Sequence, residues 1–561
     1  MFILLAIFLL LFTSFVMLIL RLVQRYKVIR SVYAYSWLVA LAGSLAAWLL
    51  VLLARPRQVS IITLVNWRPI TYFLESPKIL VDPISWSFAL ALATLVLAVI
   101  LTVPIRQQGV NWHAWASSLA LGGVGLLAVL TGNPLTLMLS WAAIDILEIA
   151  ILLVQVRESK VHVQALIAFT ARAGGLGLLL WADVAARSAG NGISFTSDAS
   201  SSAVPAHLSL FLLIAAGLRL GVLPLHLPFL QEPPMRRGLG TSLRLVPAAA
   251  SLVLLARTAY AGVPEAWMPV LLVLVGLSAL YGAILWFVAA DELSGRPFWI
   301  LGITAFAVAS AICGVPEASL AWAWACIFSG GLLFLLSVRH RNWLPLPLFG
   351  LLGFIGLPFT PAWGGMQFYT SLPSILLIPV FVLAHALLVS GYIRHAVRPE
   401  PMPESSQRWL WVIYPLGLVL LPVLQMVLFI GTMFFPGLAW QVFRQSSATG
   451  LLTTPGDYAA LPLLTWTGGA ISLGLAALIL WIMYQRRLNV EFSAHLPRRL
   501  VQVSQKLFSL RWFYDLLGIS LRILVRFVSQ LTAILEGEGG ILWVLVLLAL
   551  LVALLVRGGQ L

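Results

Sequence analysis

LSLFLLIAAGLRLGVLPLHLPFLQEPPMRRGLGTSLRLVPAAASLVLLA, residues Leu208 to Ala256, is the stretch whose reading decides the fold. It opens as an apolar run, Leu208 to Val222, too hydrophobic for a surface helix. Arg219 sits deep inside that run, and Pro224 and Pro228 then break it beside His226. Each feature is costly in hydrocarbon. A charge at membrane depth needs a partner or a water-filled cavity. Proline removes a backbone donor, and unwound backbone is tolerated there only where protein or a cavity satisfies it. Two readings are open: a broken helix beside an ionisable group, as transporters build mid-membrane ion sites, or a proline kink with a structural arginine salt bridge.

The rest of the composition agrees with a membrane setting. Of 561 residues, 61% are hydrophobic and 9% charged, and the mean hydropathy is +1.01. A soluble fold cannot hide so many apolar runs of about 18 residues or more. Met1–Leu20 has no basic leader and no small-residue cleavage site before the Arg21–Arg30 cluster, so it reads as a retained span. The net charge of +15 reads as membrane topology and contact with anionic lipid, not as nucleic-acid binding. Cys313 and Cys326 lie in apolar surroundings without metal-ligand spacing. Lysine is confined to Lys27, Lys78, Lys160 and Lys506, all between spans.

The expected fold class is an all-α polytopic membrane protein of roughly sixteen transmembrane helices. Three spans fall in residues 1–110: Met1–Leu22, Tyr35–Ala54 and Leu80–Val99. Five fall in 113–262: His113–Leu130, Leu135–Val156, Val163–Ala182, Leu208–Leu230 and Leu243–Ala261. Five more fall in 266–396: Met268–Ala289, Phe298–Cys313, Ser319–Leu336, Leu344–Tyr369 and Leu372–Ile393. Two C-terminal spans occupy 408–484, Leu410–Phe435 and Leu461–Tyr484. An amphipathic stretch at 500–535 precedes a last span at 540–557.

Basic residues concentrate in the loops after odd-numbered spans, for example Arg21, Arg25, Lys27 and Arg30, or Arg486, Arg487, Arg498 and Arg499. This places the N-terminus outside and the amphipathic stretch on the cytoplasmic side. The cluster Arg55, Arg57, Arg68 and Lys78 dissents. GVLPLHLP (Gly221–Pro228) and GFIGLPFTP (Gly353–Pro361) each interrupt an apolar helix with two close prolines, the second pair being Pro358 and Pro361. About five spans separate them, so the two five-helix blocks read as inverted repeats, each with a broken helix. Along Leu500–Leu535, Arg511, Asp515, Arg522, Arg526 and Gln530 recur on one side, while Phe508, Trp512, Leu516, Ile519, Ile523 and Phe527 fall on the other. A helix of that length would run on the order of 55 Å along the membrane surface.

With these motifs in order, the chain resembles the antiporter-like subunits of respiratory complex I and the Mrp cation/proton antiporters. LVDPISWSF resembles the opening of the third span of that family, and NPLTLMLSWAAIDILEIAILL (Asn133–Leu153) its fifth. ARAGGLGLLL resembles the sixth span and GLRLGVLPLHLPFLQEPP the broken seventh. AADELSGRPFWILGI and GLPFTPAWGGMQFY resemble the loop into the tenth span and the break in the twelfth. The amphipathic helix before the last span is the layout of the distal complex I subunit with the lateral helix.

The resemblance implies a proton relay through a buried glutamate in span five and lysines in spans seven, eight and twelve. This chain departs from it. The usual Trp-Glu position reads Trp141-Ala142, and Asp145 and Glu148 stand one and two turns further along the same face. Arg219 stands for the span-seven lysine, and arginine cannot be deprotonated in a protein. Arg244 lies near the usual span-eight position. Trp322, Trp324, Cys326 and Phe328 surround the span-twelve position. The expected proton or ion path is therefore Asp145, Glu148, Arg219 and His226, supported by Arg172 and Arg244, with breaks at Pro224, Pro228, Pro358 and Pro361. His226 reads as a proton shuttle or as a cap for the break. Arg172 reads as a structural partner for the carboxylates, and His385 as a hydrogen-bonded core residue. Glu232, Arg236 and Arg237 read as solvated loop charges.

No catalytic pair, metal cluster, phosphate loop or cofactor motif stands out, so no cofactor is expected in this chain. The reading is a subunit of a complex I-like assembly that couples a partner-driven redox reaction to proton or cation movement. The expected partners are other hydrophobic membrane subunits and lipid, in a bacterial plasma membrane or an energy-transducing internal membrane. A non-conducting structural paralogue and a standalone transporter for an inorganic ion or a bicarbonate-type substrate remain as alternatives.

Overall fold

The structure is a computed structural model that describes residues 1–25, 36–56, 59–65, 76–106, 112–156, 158–190, 192–195, 205–227, 235–338, 343–398, 410–434, 463–485, 507–508, 511–536 and 539–558. Helix dominates them. In order these helices are α1 (Phe2–Arg25), α2 (Ser36–Leu53), α3 (Pro83–Thr102), α4 (Trp112–Val129), α5 (Pro134–Gln155), α6 (Ser159–Ser188), α7 (Ala206–Leu220), α8 (Arg237–Thr258) and α9 (Met268–Val288). They continue with α10 (Arg296–Ile312), α11 (Pro316–Leu335), α12 (Pro345–Leu352), α13 (Ile378–Val397), α14 (Leu410–Phe434), α15 (Leu463–Gln485), α16 (Arg511–Glu536) and α17 (Gly539–Gly558). Among the described residues, 12 helices are long and apolar enough to cross a membrane, and α7, α10 and the stretch Gly540–Leu555 are shorter apolar helices. The chain is an all-α polytopic membrane protein.

Local chemistry sets where the helices start. Asp82 caps α3 by accepting from the Ser85 amide at 2.8 Å, and Pro83 follows it. Asn133 caps α5 by accepting from the Thr136 amide at 3.1 Å, with Pro134 next. Both starts combine a polar cap with a proline whose missing donor costs nothing in the first turn. A short antiparallel hairpin, β1 (Ser60–Thr63) and β2 (Lys78–Val81), occupies the loop after α2. It is stitched to the α4–α5 turn by bonds from the Leu80 amide to Leu130 and from the Gly132 amide to Lys78.

Two compact units emerge, Met1–Leu500 and Val501–Leu561. In the first, α3, α8 and α11 form the core: the apolar stretches of α3 and α8 are 94% buried and that of α11 is 100% buried. In contrast, α6 buries only 33% and shows Leu166, Leu180 and Trp181 outward. Without water to compete, such helices associate through close packing, not through hydrophobic exclusion. The second unit holds α16 and α17. The helix α16 is amphipathic over 26 residues, and the early part of the stretch expected from Leu500 lies outside the described residues.

Two expected spans take another form. The span expected over Leu344–Tyr369 is not one helix: α12 stops after 8 residues, turns follow, and a 3-10 segment runs over Gly364–Ser371. Prolines 358 and 361 lie in those turns, beyond the point where α12 has already ended. The seventh span ends at Leu220, not Leu230, because Gly221 adopts a left-handed conformation with φ +79°. Only glycine takes that geometry without strain. Pro224 lies in the turn that follows; Pro228 and Glu232 lie outside the described residues.

Candidate functional site

The residues Trp141, Asp145 and Glu148 follow one face of α5, and all three are buried. Leu139, Ile146 and Leu153 point the other way and are exposed. Helical spacing of this kind separates a polar seam from an apolar outer face. The seam meets two arginines from the neighbouring helices. Arg219, in the last turn of α7, makes a two-pronged pair with Asp145: Nη1 donates to Oδ2 at 2.7 Å and Nη2 to Oδ1 at 2.7 Å. Arg172, in α6, pairs with Glu148 and also lies 3.7 Å from Asp145 Oδ1.

The Arg219–Asp145 pair is deeply buried. The side chains of Arg219 and Asp145 are 1% and 2% exposed, so neither charge would be tolerated without the other. Desolvation costs several kcal/mol per ion, and two-pronged geometry is what offsets it. The Arg219 guanidinium also lies over the Trp141 ring, 4.4 Å from its centre. Trp141 in turn donates through Nε1 to the Ala250 carbonyl of α8 at 3.2 Å. Arg219 comes this close to α6 because of Gly175. A Cβ there would stand 2.9 Å from Arg219 Cγ and 3.0 Å from the Ala215 carbonyl oxygen.

The broken end of α7 lies next to a cavity of about 70 Å³. Arg172, Arg219, His226 and Arg244 contribute to its lining, with Leu220, Pro247, Ala248 and Ile300 as apolar walls. His226 is buried; its backbone amide donates to Gly221 at 2.9 Å, and Nδ1 donates to the Pro224 carbonyl at 2.9 Å. With Nδ1 committed to a carbonyl, a neutral ring keeps its lone pair at Nε2, where it can accept a proton or a water. The expected path residues and both supporting arginines thus converge on one place.

The second break is built differently. Ser329 of α11 donates to the Gly350 carbonyl at 2.8 Å, and Gln425 of α14 donates through Nε2 to Gly353 at 2.9 Å. His385 of α13, fully buried, holds the Phe354 carbonyl at 3.0 Å through Nε2 and Ser472 Oγ at 2.9 Å through Nδ1. The carbonyls released by the end of α12 are thus satisfied by neutral side chains. Trp322 and Phe306 pack edge-on against the His385 ring.

No protein-family model matches the sequence, and no curated protein matches it. Solved structures do. The chain is similar to one from the Mrp complex of Dietzia sp. DQ12-45-1b, with a TM-score of 0.73 at 15% identity, over 100% of this chain and 63% of that one. This chain therefore spans less than two thirds of that Mrp chain. It is also similar to a chain of the membrane-bound sulfane sulfur reductase, an archaeal respiratory membrane complex, with a TM-score of 0.66 at 14% identity over 98% and 99% of the two chains. A chain of respiratory complex I from Thermus thermophilus aligns with a TM-score of 0.53 at 18% identity over 75% and 97%. The likeness shows a shared fold with these chains of membrane complexes.

Several charges of this chain lie in other surroundings than the sequence alone suggests. Arg237 is not a solvated loop charge. It starts α8, pairs with the buried Glu292 at 2.5 Å and donates to the Leu336 carbonyl at 2.6 Å. Arg296, within the stretch AADELSGRPFWILGI that resembles the loop into the tenth span, is 1% exposed at the start of α10. Asp82 does more than cap α3: Arg257 Nη2 lies 2.9 Å from its Oδ1. Arg257 also donates to Ser85 Oγ at 2.5 Å and to the Phe195 carbonyl at 2.8 Å. The only sequence signal for these pairs is their cost: a buried charge needs an opposite charge somewhere. Sequence does not say where.

Proposed function

We propose that the chain is an integral subunit of a complex I-like assembly, in which a redox reaction in partner subunits drives proton or cation movement across the membrane. The observation that carries this reading is the Asp145–Arg219–Arg172–Glu148 network beside the broken end of α7, opening on a cavity that His226 also lines. A relay needs groups that exchange protons near neutral pH, or water that bridges them. Glu148, Asp145 and His226 exchange protons; Arg219 and Arg172 stay charged and set the field in which they do so. Protonation of Glu148 would release Arg172, and the freed guanidinium would turn to Asp145, which it already approaches at 3.7 Å. The path belongs to the first five-helix block, since neutral groups hold the second break. The proposed setting is a bacterial plasma membrane or an energy-transducing internal membrane, with the N-terminus outside.

One observation favours a second reading, the non-conducting structural subunit. Every carboxylate of the cluster is engaged by an arginine, and neither arginine can give up its proton. The test is to purify the assembly through a tag on this chain, reconstitute it in vesicles, and follow the pH gradient while the donor is oxidised. Loss of proton movement in Glu148→Gln supports the relay. A Glu148→Gln assembly that pumps as the parent does leaves the structural reading.

A further inference from the structure

Three helix ends meet at a second cavity, of about 30 Å³, between the end of α3 and the starts of α4 and α8. Val99, Trp115, Ser118, Arg236, Arg237 and Gly238 are among its lining. We propose that this cavity binds one phosphoryl group, carried by a phospholipid headgroup or by free phosphate. The inference goes beyond the proposed ion path and does not depend on it.

Two independent features supply the donors. Ser118 of α4 is 1% exposed, and its hydroxyl has no hydrogen-bond partner among the described residues. A buried donor left unmade is destabilising, so the site favours an occupant that accepts there. The second feature is the first turn of α8, a helix of 22 residues whose start has no side-chain cap. The leading amides of a helix have no partner inside it, and they make its start the positive end of the dipole. Gly238 brings no side chain to cover them. Water accepts from such donors as well, but a phosphoryl group brings several acceptor oxygens and the negative charge that a helix start favours. No vacant arginine is needed. Arg237 is held by Glu292 and the Leu336 carbonyl, and Arg236 has an interaction of its own.

Size and access narrow the class. A space of about 30 Å³ takes two or three water-sized atoms, at about 10–15 Å³ each. That admits phosphoryl oxygens and excludes a sugar ring or a base. The cavity is not enclosed, so the rest of an ester stays outside, at the helix ends, where headgroups lie.

The experiment uses the purified full chain, delipidated in a neutral detergent, and follows its thermal unfolding. Phosphatidylglycerol should stabilise it saturably, and diacylglycerol with the same chains should not. Inorganic phosphate is titrated separately at constant ionic strength: a matching, saturable gain assigns the group to free phosphate, and a gain with the lipid alone assigns it to a headgroup. In Ser118→Ala the apparent affinity should fall about tenfold. Without lipid the same variant should melt no lower than the parent, since it removes an unmade donor. Ser319→Ala, whose buried hydroxyl also lacks a partner among the described residues but does not line this cavity, should bind as the parent does. An electron cryomicroscopy map with phosphatidylglycerol present should place a phosphoryl oxygen within hydrogen-bond reach of Ser118, which also decides the matter if Ser118→Ala does not fold. Equal stabilisation by phosphatidylglycerol and diacylglycerol overturns the proposal, as does no gain from either phosphate source. An unchanged affinity in Ser118→Ala, or a cavity that holds water alone, overturns it too.

Discussion

Arg219 and Asp145, 74 residues apart in sequence, lie with two guanidinium nitrogens each 2.7 Å from a different carboxylate oxygen. The pair ties α7 to α5 just before the chain unwinds at Gly221. Its consequence for stability is asymmetric. Asp145→Asn leaves a permanent, buried positive charge without a counter-ion and should destabilise the purified chain by about 3–5 kcal/mol. Replacing both partners with apolar residues of similar volume, Asp145→Leu with Arg219→Met, should be markedly less damaging. Thermal unfolding of the three proteins checks this; a double variant weaker than Asp145→Asn would show that the pair is not the source of the loss.

For transport, the two breaks should respond differently. Glu148→Gln and His226→Ala remove exchangeable groups beside the first break and should each lower proton movement by the reconstituted assembly about tenfold or more. Ser319→Ala in α11 should leave it unchanged, because the Ser319 hydroxyl is buried without a partner among the described residues. Measured rates that fall for Ser319→Ala as far as for Glu148→Gln would contradict a path confined to the first block.

Much of the first site was legible because its residues are costly. Arg219, Asp145 and Glu148 stand in apolar runs, so sequence alone demands that they find one another, and the period of α5 puts both carboxylates on one face. The resemblance set by their motifs also gave the fold, which the similarity to the Mrp and complex I chains bears out. The second break was less legible. Ser329, Gln425 and His385 are neutral and common in helices, and nothing in their spacing says that they hold the carbonyls left by α12. The Arg237–Glu292 and Arg257–Asp82 pairs were hidden for another reason. Each residue stands near a helix end, where a charge is ordinarily solvated, and only the packing of distant helices buries it.

The approach of α6 to α7 offers a steric test. Gly175→Val adds bulk where even a Cβ would meet Arg219 Cγ at 2.9 Å and the Ala215 carbonyl at 3.0 Å. The backbone carbonyl cannot move aside cheaply, so the helices must separate, at a cost of about 1–3 kcal/mol. The same substitution at Gly177, where a Cβ meets nothing within 4 Å, should be nearly neutral. Comparing the two melting temperatures separates helix contact from a general effect of losing glycine.

The last prediction concerns the second break, where the side chains have a structural task. Gln425 Nε2 donates to Gly353 and Ser329 donates to Gly350, both within a buried region beside the end of α12. Gln425→Leu would leave the Gly353 carbonyl buried and unsatisfied, which costs about 1–3 kcal/mol. Gln425→Glu differs in kind: it keeps the shape, loses the donor only when ionised, and then places a charge in an apolar setting, so it must stay protonated or find a cation. It should therefore destabilise more at high pH than at low pH, since only the protonated acid can donate to Gly353. Neither substitution should change proton movement per folded complex if the path runs beside Arg219. Unfolding measured across pH, together with pumping normalised to folded protein, tests both parts. A specific loss of pumping in Gln425→Leu at unchanged stability would move the second break from scaffold to path.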